Sequence, residues 1–249
     1  MSTRLSSCGN LIDTSKPLNF TFNGKKLRGY QGDTLASALL ANDQILVGRS
    51  FKYHRPRGVV TSGPEEPNAL VNLGKGGKFE PNQRATTTEL FEGLEATSQN
   101  HWPSLEFDIG ALNMKLSRFL PAGFYYKMFI HPRPLWKHVY EPLIRQSAGL
   151  GQAPTSKDTS TYEHFYAFYD MVIIGGGVAG LQAARVAGAS GQRVLLMEQS
   201  AHWGGRARIE AEAQRGRGAL PRRRATARPA AGLAPGSAAR AVPLRARAG

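Results

Sequence analysis

Three glycines, at 175, 177 and 180, fit the pattern G-x-G-x-x-G, and an acid, Glu198, stands 18 residues beyond the last of them. Residues of these types at this spacing perform dinucleotide chemistry: the glycines receive a pyrophosphate and the acid accepts hydrogen bonds from a ribose diol. Gly175 permits a tight turn. Gly177 lets the pyrophosphate approach the backbone, and Gly180 lets a helix pack closely on the strand before it. Gly176, Val178 and Ala179 supply backbone around the phosphates, at the positive end of the helix dipole.

Such residues need a strand, a turn, a helix and a second strand to hold them. Met171, Val172, Ile173 and Ile174 are four consecutive apolar residues, which suit a buried parallel strand. Residues 181–189 read as the helix, and residues 193–198 as the second strand, closing on the acid. A bare glycine pattern also occurs in purely structural turns. The full order of strand, turn, helix, strand and acid is what specifies a nucleotide site.

The chain has 249 residues and a formal net charge of +14, which would ordinarily raise nucleic acid or a membrane surface as a partner. The distribution of charge argues otherwise. Residues 215–249 hold nine arginines and no acid, leaving 23 basic and 18 acidic residues over 1–214. The basicity therefore belongs to the tail, and neither nucleic acid nor membrane is expected as a partner. A single cysteine, Cys8, excludes an internal disulfide framework and a multi-cysteine zinc site, and it suits a reducing, cytoplasmic location. No basic-then-apolar leader opens the chain, and no apolar run reaches ~18 residues, so neither secretion nor membrane spanning is expected.

Residues 1–17 read as a polar arm. Residues 18–22 alternate apolar and polar, Asn23 and Gly24 signal a hairpin turn, and residues 25–30 return as a second strand. Gly32 and Asp33 are then expected to cap a short helix over 34–41 with Leu35, Ala38, Leu39 and Leu40 on its apolar side. Hairpin followed by helix is how a small ubiquitin-like or ferredoxin-like domain begins. The basic and aromatic block 48–58 could suggest phosphate or nucleic-acid contact, but nothing repeats the pattern elsewhere and it reads as a solvated loop or subunit contact. Residues 68–73 are a strand candidate and 86–94 a further short ordered element. From 100 to 150, prolines and aromatics predict short helices and extended pieces packed by large side chains, with His131 and His138 as surface or packing residues. A Gly/Ser/Thr/Pro/Ala linker over 149–161 marks the domain boundary, and an aromatic stretch, 162–169, leads into the glycine-turn strand.

Several blocks together resemble the alpha subunits of heterotetrameric sarcosine oxidases: Arg-Ser-Phe-Lys-Tyr-His-Arg-Pro-Arg-Gly at 49–58, Glu-Pro-Asn-Ala-Leu at 66–70, Arg-Ala-Thr at 84–86, Trp-Pro-Ser at 102–104, Phe-Leu-Pro-Ala-Gly-Phe-Tyr-Tyr-Lys at 119–127 and Tyr-Glu-Pro at 140–142. The resemblance covers roughly residues 18–210. It implies an α/β and α+β architecture: a ferredoxin-like (β-grasp) domain over 18–98, a Pro/aromatic connecting segment and linker over 99–161, and the first βαβ of a Rossmann NAD-binding domain over 162–214, truncated there. It also implies an oxidoreductase acting on the CH–NH group of sarcosine at a flavin on another subunit, yielding glycine, a one-carbon unit and hydrogen peroxide. The partners implied are beta, gamma and delta subunits, with FMN and folate held by them or by a later part of the alpha chain. No catalytic acid, base or nucleophile is carried over.

Carried over residue by residue, Gly175, Gly176, Gly177, Val178, Ala179 and Gly180 match the phosphate turn, and Glu198 the ribose acid. A negative side chain there would repel a 2′-phosphate, so NAD is favoured over NADP. Gly204, Gly205 and Arg206 match a segment that borders the cofactor in two-dinucleotide-domain flavoproteins; otherwise they form a simple turn. Related subunits hold a [2Fe–2S] cluster on four cysteine thiolates. With Cys8 alone, this chain is expected to carry no iron–sulfur cluster and no other metal.

The tail, 215–249, is rich in Ala, Arg, Pro and Gly, and the resemblance stops near Glu210. Such a segment buries too little apolar surface to offset its chain entropy and is expected to lack structure. Its bias is also what GC-rich DNA yields when read out of frame, which predicts a frameshift product. Two other readings stand beside the first: a related amine or amino-acid dehydrogenase subunit with FAD in the same fingerprint, and a non-enzymatic basic interaction protein acting through the arginines.

Overall fold

The opening hairpin follows from its residues. In the computed structural model, β1 (Asp13–Phe22) and β2 (Lys25–Gln31) pair antiparallel across Asn23 and Gly24, whose φ angles are 51° and 79°. Asparagine and glycine tolerate that left-handed region, which matches the strand twist. Phe20 and Phe22, two residues apart on β1, share one face and are each 2% exposed. The first strand begins at Asp13, inside the stretch expected to be an arm. Asp13 reaches its partner Gln31 through a shift of register before Pro17. The structure describes residues 3–5, 11–115, 131–147, 154, 156–162, 164–200, 202–208 and 240–243. Cys8, the block 119–127, most of 148–155 and most of the tail lie outside these.

The helix α1 (Leu35–Ala41) follows the hairpin as expected, but its cap is Thr34. Thr34 Oγ1 accepts from the Ser37 N–H at 3.2 Å, and Ser37 Oγ accepts from the Thr34 N–H at 3.0 Å, a reciprocal capping box. Asp33, expected to cap, is buried instead. Its carboxylate accepts from Arg4 Nη2 at 2.7 Å, from the Tyr30 N–H at 2.9 Å and from Ser37 Oγ at 2.6 Å. A hydroxyl one residue nearer the helix reaches the orphan N–H, which frees the acid to pair with an arginine.

The strands β5 (Leu70–Leu73), β6 (Glu80–Arg84) and β7 (Leu94–Thr97) complete a sheet in the order β2-β1-β7-β5-β6, with β1 and β7 parallel. The region 86–94 is a turn returning to Arg84, and β7 starts only at its last residue. Leu35 and Leu39 of α1 pack with Phe20, Phe22, Val71 and Leu94 into one core. This β-grasp arrangement is the ferredoxin-like domain anticipated above.

The basic block 48–58 is not a solvated loop. It forms the hairpin β3 (Gly48–Arg49) and β4 (Pro56–Arg57). Arg49 Nε donates to Leu105 O at 2.8 Å, and His54 Nδ1 lies 2.7 Å from the buried Asp108 carboxylate. A carboxylate some fifty residues away turns an apparent charge run into an internal anchor. Further along, Ile109–Ala111, Leu112–Lys115, Arg133–Leu135, Trp136–Tyr140 and Glu141–Ser147 are short helical pieces, with His131 and His138 exposed. This first compact unit spans Met1–Thr159, and the second spans Ser160–Gly249.

In the second unit, β8 (Met171–Ile174), α2 (Val178–Ala189), β9 (Val194–Glu198) and β10 (Arg240–Pro243) form a parallel sheet in the order β10-β9-β8, with α2 linking β8 to β9. That is the 3-2-1 order of the first half of a Rossmann fold. Two expectations are corrected here. The tail supplies a third strand at 240–243, because the open side of β9 presents unpaired N–H and C=O groups that an extended segment satisfies. And among the described residues β8 is an edge, not a buried strand: Val172 is 54% and Ile174 85% exposed, while Val194, Leu195 and Leu196 of the central β9 are buried.

Candidate dinucleotide site

The glycine turn joins β8 to α2, and each of its glycines meets a different constraint. Gly175 has φ +104° and its N–H donates to Met197 O at 2.8 Å, which turns the chain out of the sheet. A Cβ at Gly180 would lie 1.9 Å from Gly175 O, so only glycine lets the helix sit this close to the strand end. Gly177 is the N-cap of α2, with no side-chain cap bond, and a Cβ there would meet nothing within 4 Å. The space in front of the helix is open at that point. The first helical bond runs from the Leu181 N–H to Gly177 O at 2.9 Å. The N–H groups of Val178, Ala179 and Gly180 therefore have no acceptor inside the helix and sit at its positive end.

Glu198 closes β9 beside this turn. Its Oε2 accepts from the Gly176 N–H at 2.6 Å, and its Oε1 from the Ser200 N–H at 2.8 Å and Ser200 Oγ at 3.0 Å. The carboxyl is held below the usual glutamate value: the Ser200 N–H lowers it most, burial pushes it back up, and the Gly176 N–H lowers it again. The group is thus a carboxylate at neutral pH, anchored between the glycine turn and the Ser200 turn.

The segment after β9 folds against the turn. The Gly204 N–H donates to Gly176 O at 2.8 Å, and a Cβ on Gly205 would approach Gly177 Cα to 3.3 Å. Both glycines have positive φ, +104° and +51°. The structure thus gathers residues 175–180, Glu198 and the 204–205 backbone into one place, with Arg206 exposed in the adjoining turn. Two residues of this place escape sequence reasoning. Trp203 packs on the glycine turn, where a Cβ at Gly176 would come within 2.3 Å of its ring. Ser200 holds one Glu198 oxygen. The signals available were an aromatic directly before Gly-Gly-Arg and a hydroxyl two residues past the acid.

Comparison with known proteins agrees with this order of parts. The family of 2Fe-2S iron-sulfur cluster binding domains matches residues 15–101, and the family of NAD(P)-binding Rossmann-like domains matches residues 173–232. The second match runs past Glu210, where the sequence alone had ceased to show a resemblance. The sarcosine oxidase subunit alpha of Rhizobium meliloti (strain 1021) is 60% identical over 195 residues, 78% of this chain and 20% of that protein. The corresponding subunit of Corynebacterium sp. (strain P-1) is 34% identical over 206 residues, 82% of this chain and 16% of that one. An L-proline dehydrogenase from P. horikoshii superposes with a TM-score of 0.38 at 21% identity, over 79% of this chain and 28% of its own. The chain spans about a fifth of the length of the curated relatives it matches.

A [2Fe–2S] cluster does not fit the residues present. It needs four ligands, normally thiolates, and the one cysteine, Cys8, lies outside the matched 15–101. Among the described residues no group of three His, Cys, Asp or Glu side chains could hold a metal ion. Over about four-fifths of its length the chain is a homologue of the sarcosine oxidase alpha subunits, built as a cysteine-free ferredoxin-like domain followed by an NAD(P)-binding Rossmann-like region.

Proposed function

We propose that this chain supplies the NAD-binding region of a sarcosine oxidase alpha subunit, in a cytoplasmic assembly with beta, gamma and delta subunits that oxidises sarcosine to glycine, a one-carbon unit and hydrogen peroxide. The observation that carries the reading is the open space at Gly177, bounded by the first-turn N–H groups of α2 and by the Glu198 carboxylate. Val178, Ala179 and Gly180 would hold the pyrophosphate, and Glu198 the adenosine ribose. NAD supplies hydride chemistry when bound; these residues bind and orient it. The amine oxidation itself, with its flavins and folate, belongs to other parts of the complex.

FAD is the second reading, favoured by one observation: Gly204 and Gly205 close on the glycine turn, as the flavoprotein resemblance of that segment implies. Titration calorimetry with NAD, NADP and FAD on the wild-type chain and on Glu198→Ala separates the readings. NAD should bind at least about tenfold more tightly than NADP, since the carboxylate repels a 2′-phosphate, and Glu198→Ala should narrow that gap. NADP binding as tight as NAD would contradict the assignment of Glu198. A chain that takes FAD alone would replace NAD with FAD.

A further inference from the structure

The loop between β4 and β5 is built around a buried anion. Glu66 is 1% exposed. Its Oε2 accepts from the Val60 N–H at 2.9 Å, the Thr61 N–H at 2.7 Å and Thr61 Oγ1 at 3.1 Å, and its Oε1 from the Asn68 N–H at 2.8 Å and the Ala69 N–H at 3.1 Å. Among the described residues no cation forms a salt bridge with it. Four backbone N–H groups and a hydroxyl converging on one point make a concavity of the kind that elsewhere receives phosphates and iron–sulfur clusters.

This concavity lies in a domain whose family is named for binding a 2Fe-2S cluster, in a chain without the cysteines to hold one. Such a loop, left empty, would bury several unsatisfied donors at a cost for each. We propose that Glu66 is the domain's built-in anion: its carboxylate fills the N–H cradle of the 59–69 loop, so that the loop holds its shape with no iron. The balance of forces agrees. Burial pushes the carboxyl up, and the N–H groups of Thr61, Asn68, Val60 and Ala69 outweigh it, leaving a value of about 2. The cradle thus selects a carboxylate-sized anion and has no use for a neutral group of the same shape.

Thermal unfolding of the full chain tests this with Glu66→Ala, Glu66→Gln and added small ligands. Both variants should lose roughly 10 °C in Tm, Gln as much as Ala, because its NH2 faces N–H donors and its charge is gone. Formate should restore Glu66→Ala at concentrations that leave the wild type unchanged, and formamide, its neutral counterpart, should not. A Glu66→Gln protein as stable as the wild type would overturn the proposal, as would equal rescue by formate and formamide. Should Glu66→Ala fail to fold, refolding it in formate against formamide decides by the same contrast. Incubation of the wild type with ferrous iron and sulfide should give no cluster absorbance. A cluster forming in it would also overturn the proposal.

Discussion

Gly177 and Gly180 stand three residues apart in one turn and answer to different needs. Gly180 serves the fold: with a Cβ 1.9 Å from a backbone oxygen, Gly180→Ala must push α2 off β8. It should cost at least about 1–3 kcal/mol and abolish nucleotide binding together with the unfolding transition of the second unit, which circular dichroism reads. Gly177 is different: a Cβ there would meet nothing within 4 Å, so the fold itself does not demand glycine for lack of room, and the proposed ligand would. The acids divide likewise. Glu66 has its carboxyl lowered from 4.5 to about 2, so its contribution is fully present above the unfolded value and is lost as pH falls through the folded one. The shift corresponds to about 3 kcal/mol. Stability of the first unit, followed in urea, should therefore lose this part between pH 4.5 and about 2 in the wild type, and Glu66→Gln should lack it throughout. The glycine spacing made residues 175–180 legible in the sequence. Glu66 was not legible, because nothing in Glu-Glu-Pro-Asn tells which glutamate is surrounded by backbone N–H groups from both sides of a loop.

The helix α1 shows how little its own sequence needs to do. Seven residues are too few for a stable isolated helix, yet five of them, Leu35, Ala36, Ala38, Leu39 and Ala41, are buried. Leu39→Ala should cost about 2–5 kcal/mol, and Thr34→Ala about 1 kcal/mol through the lost capping box, both read as shifts in the urea midpoint. The hairpin β1–β2, the helix and the βαβ unit were visible beforehand because Asn-Gly, an apolar face and the glycine pattern are local signals. The cap moved by a single residue, a matter of whether the Asp33 carboxylate or the Thr34 hydroxyl reaches the Ser37 N–H. The hairpin β3–β4 was hidden because its anchor, Asp108, is some fifty residues away, and β10 because four residues of low-complexity tail gave no period to read. The exposure of β8 was hidden too: an apolar run states that a strand is meant to be covered, not that it is.

The chain divides into two units, each with its own sheet, and the core cluster of Phe20, Leu35, Leu39 and Leu94 lies in the first. A core change in one should therefore leave the chemistry of the other alone: Leu39→Ala should lower the first unit's unfolding transition while shifting NAD affinity by less than about twofold. The chain spans about a fifth of the length of its curated relatives, and nucleotide binding is the part of the proposed function that its own residues can test. The most direct test is calorimetric titration of NAD into the wild type and Gly177→Val. Gly177 has φ −70° and ψ −179°, an extended backbone that valine adopts. The variant should keep the wild-type circular dichroism spectrum and Tm yet bind NAD at least about a hundredfold more weakly, a loss of ~3 kcal/mol. Equal affinity of the two proteins, or a folded wild type that takes up no NAD, would contradict a dinucleotide site at the glycine turn.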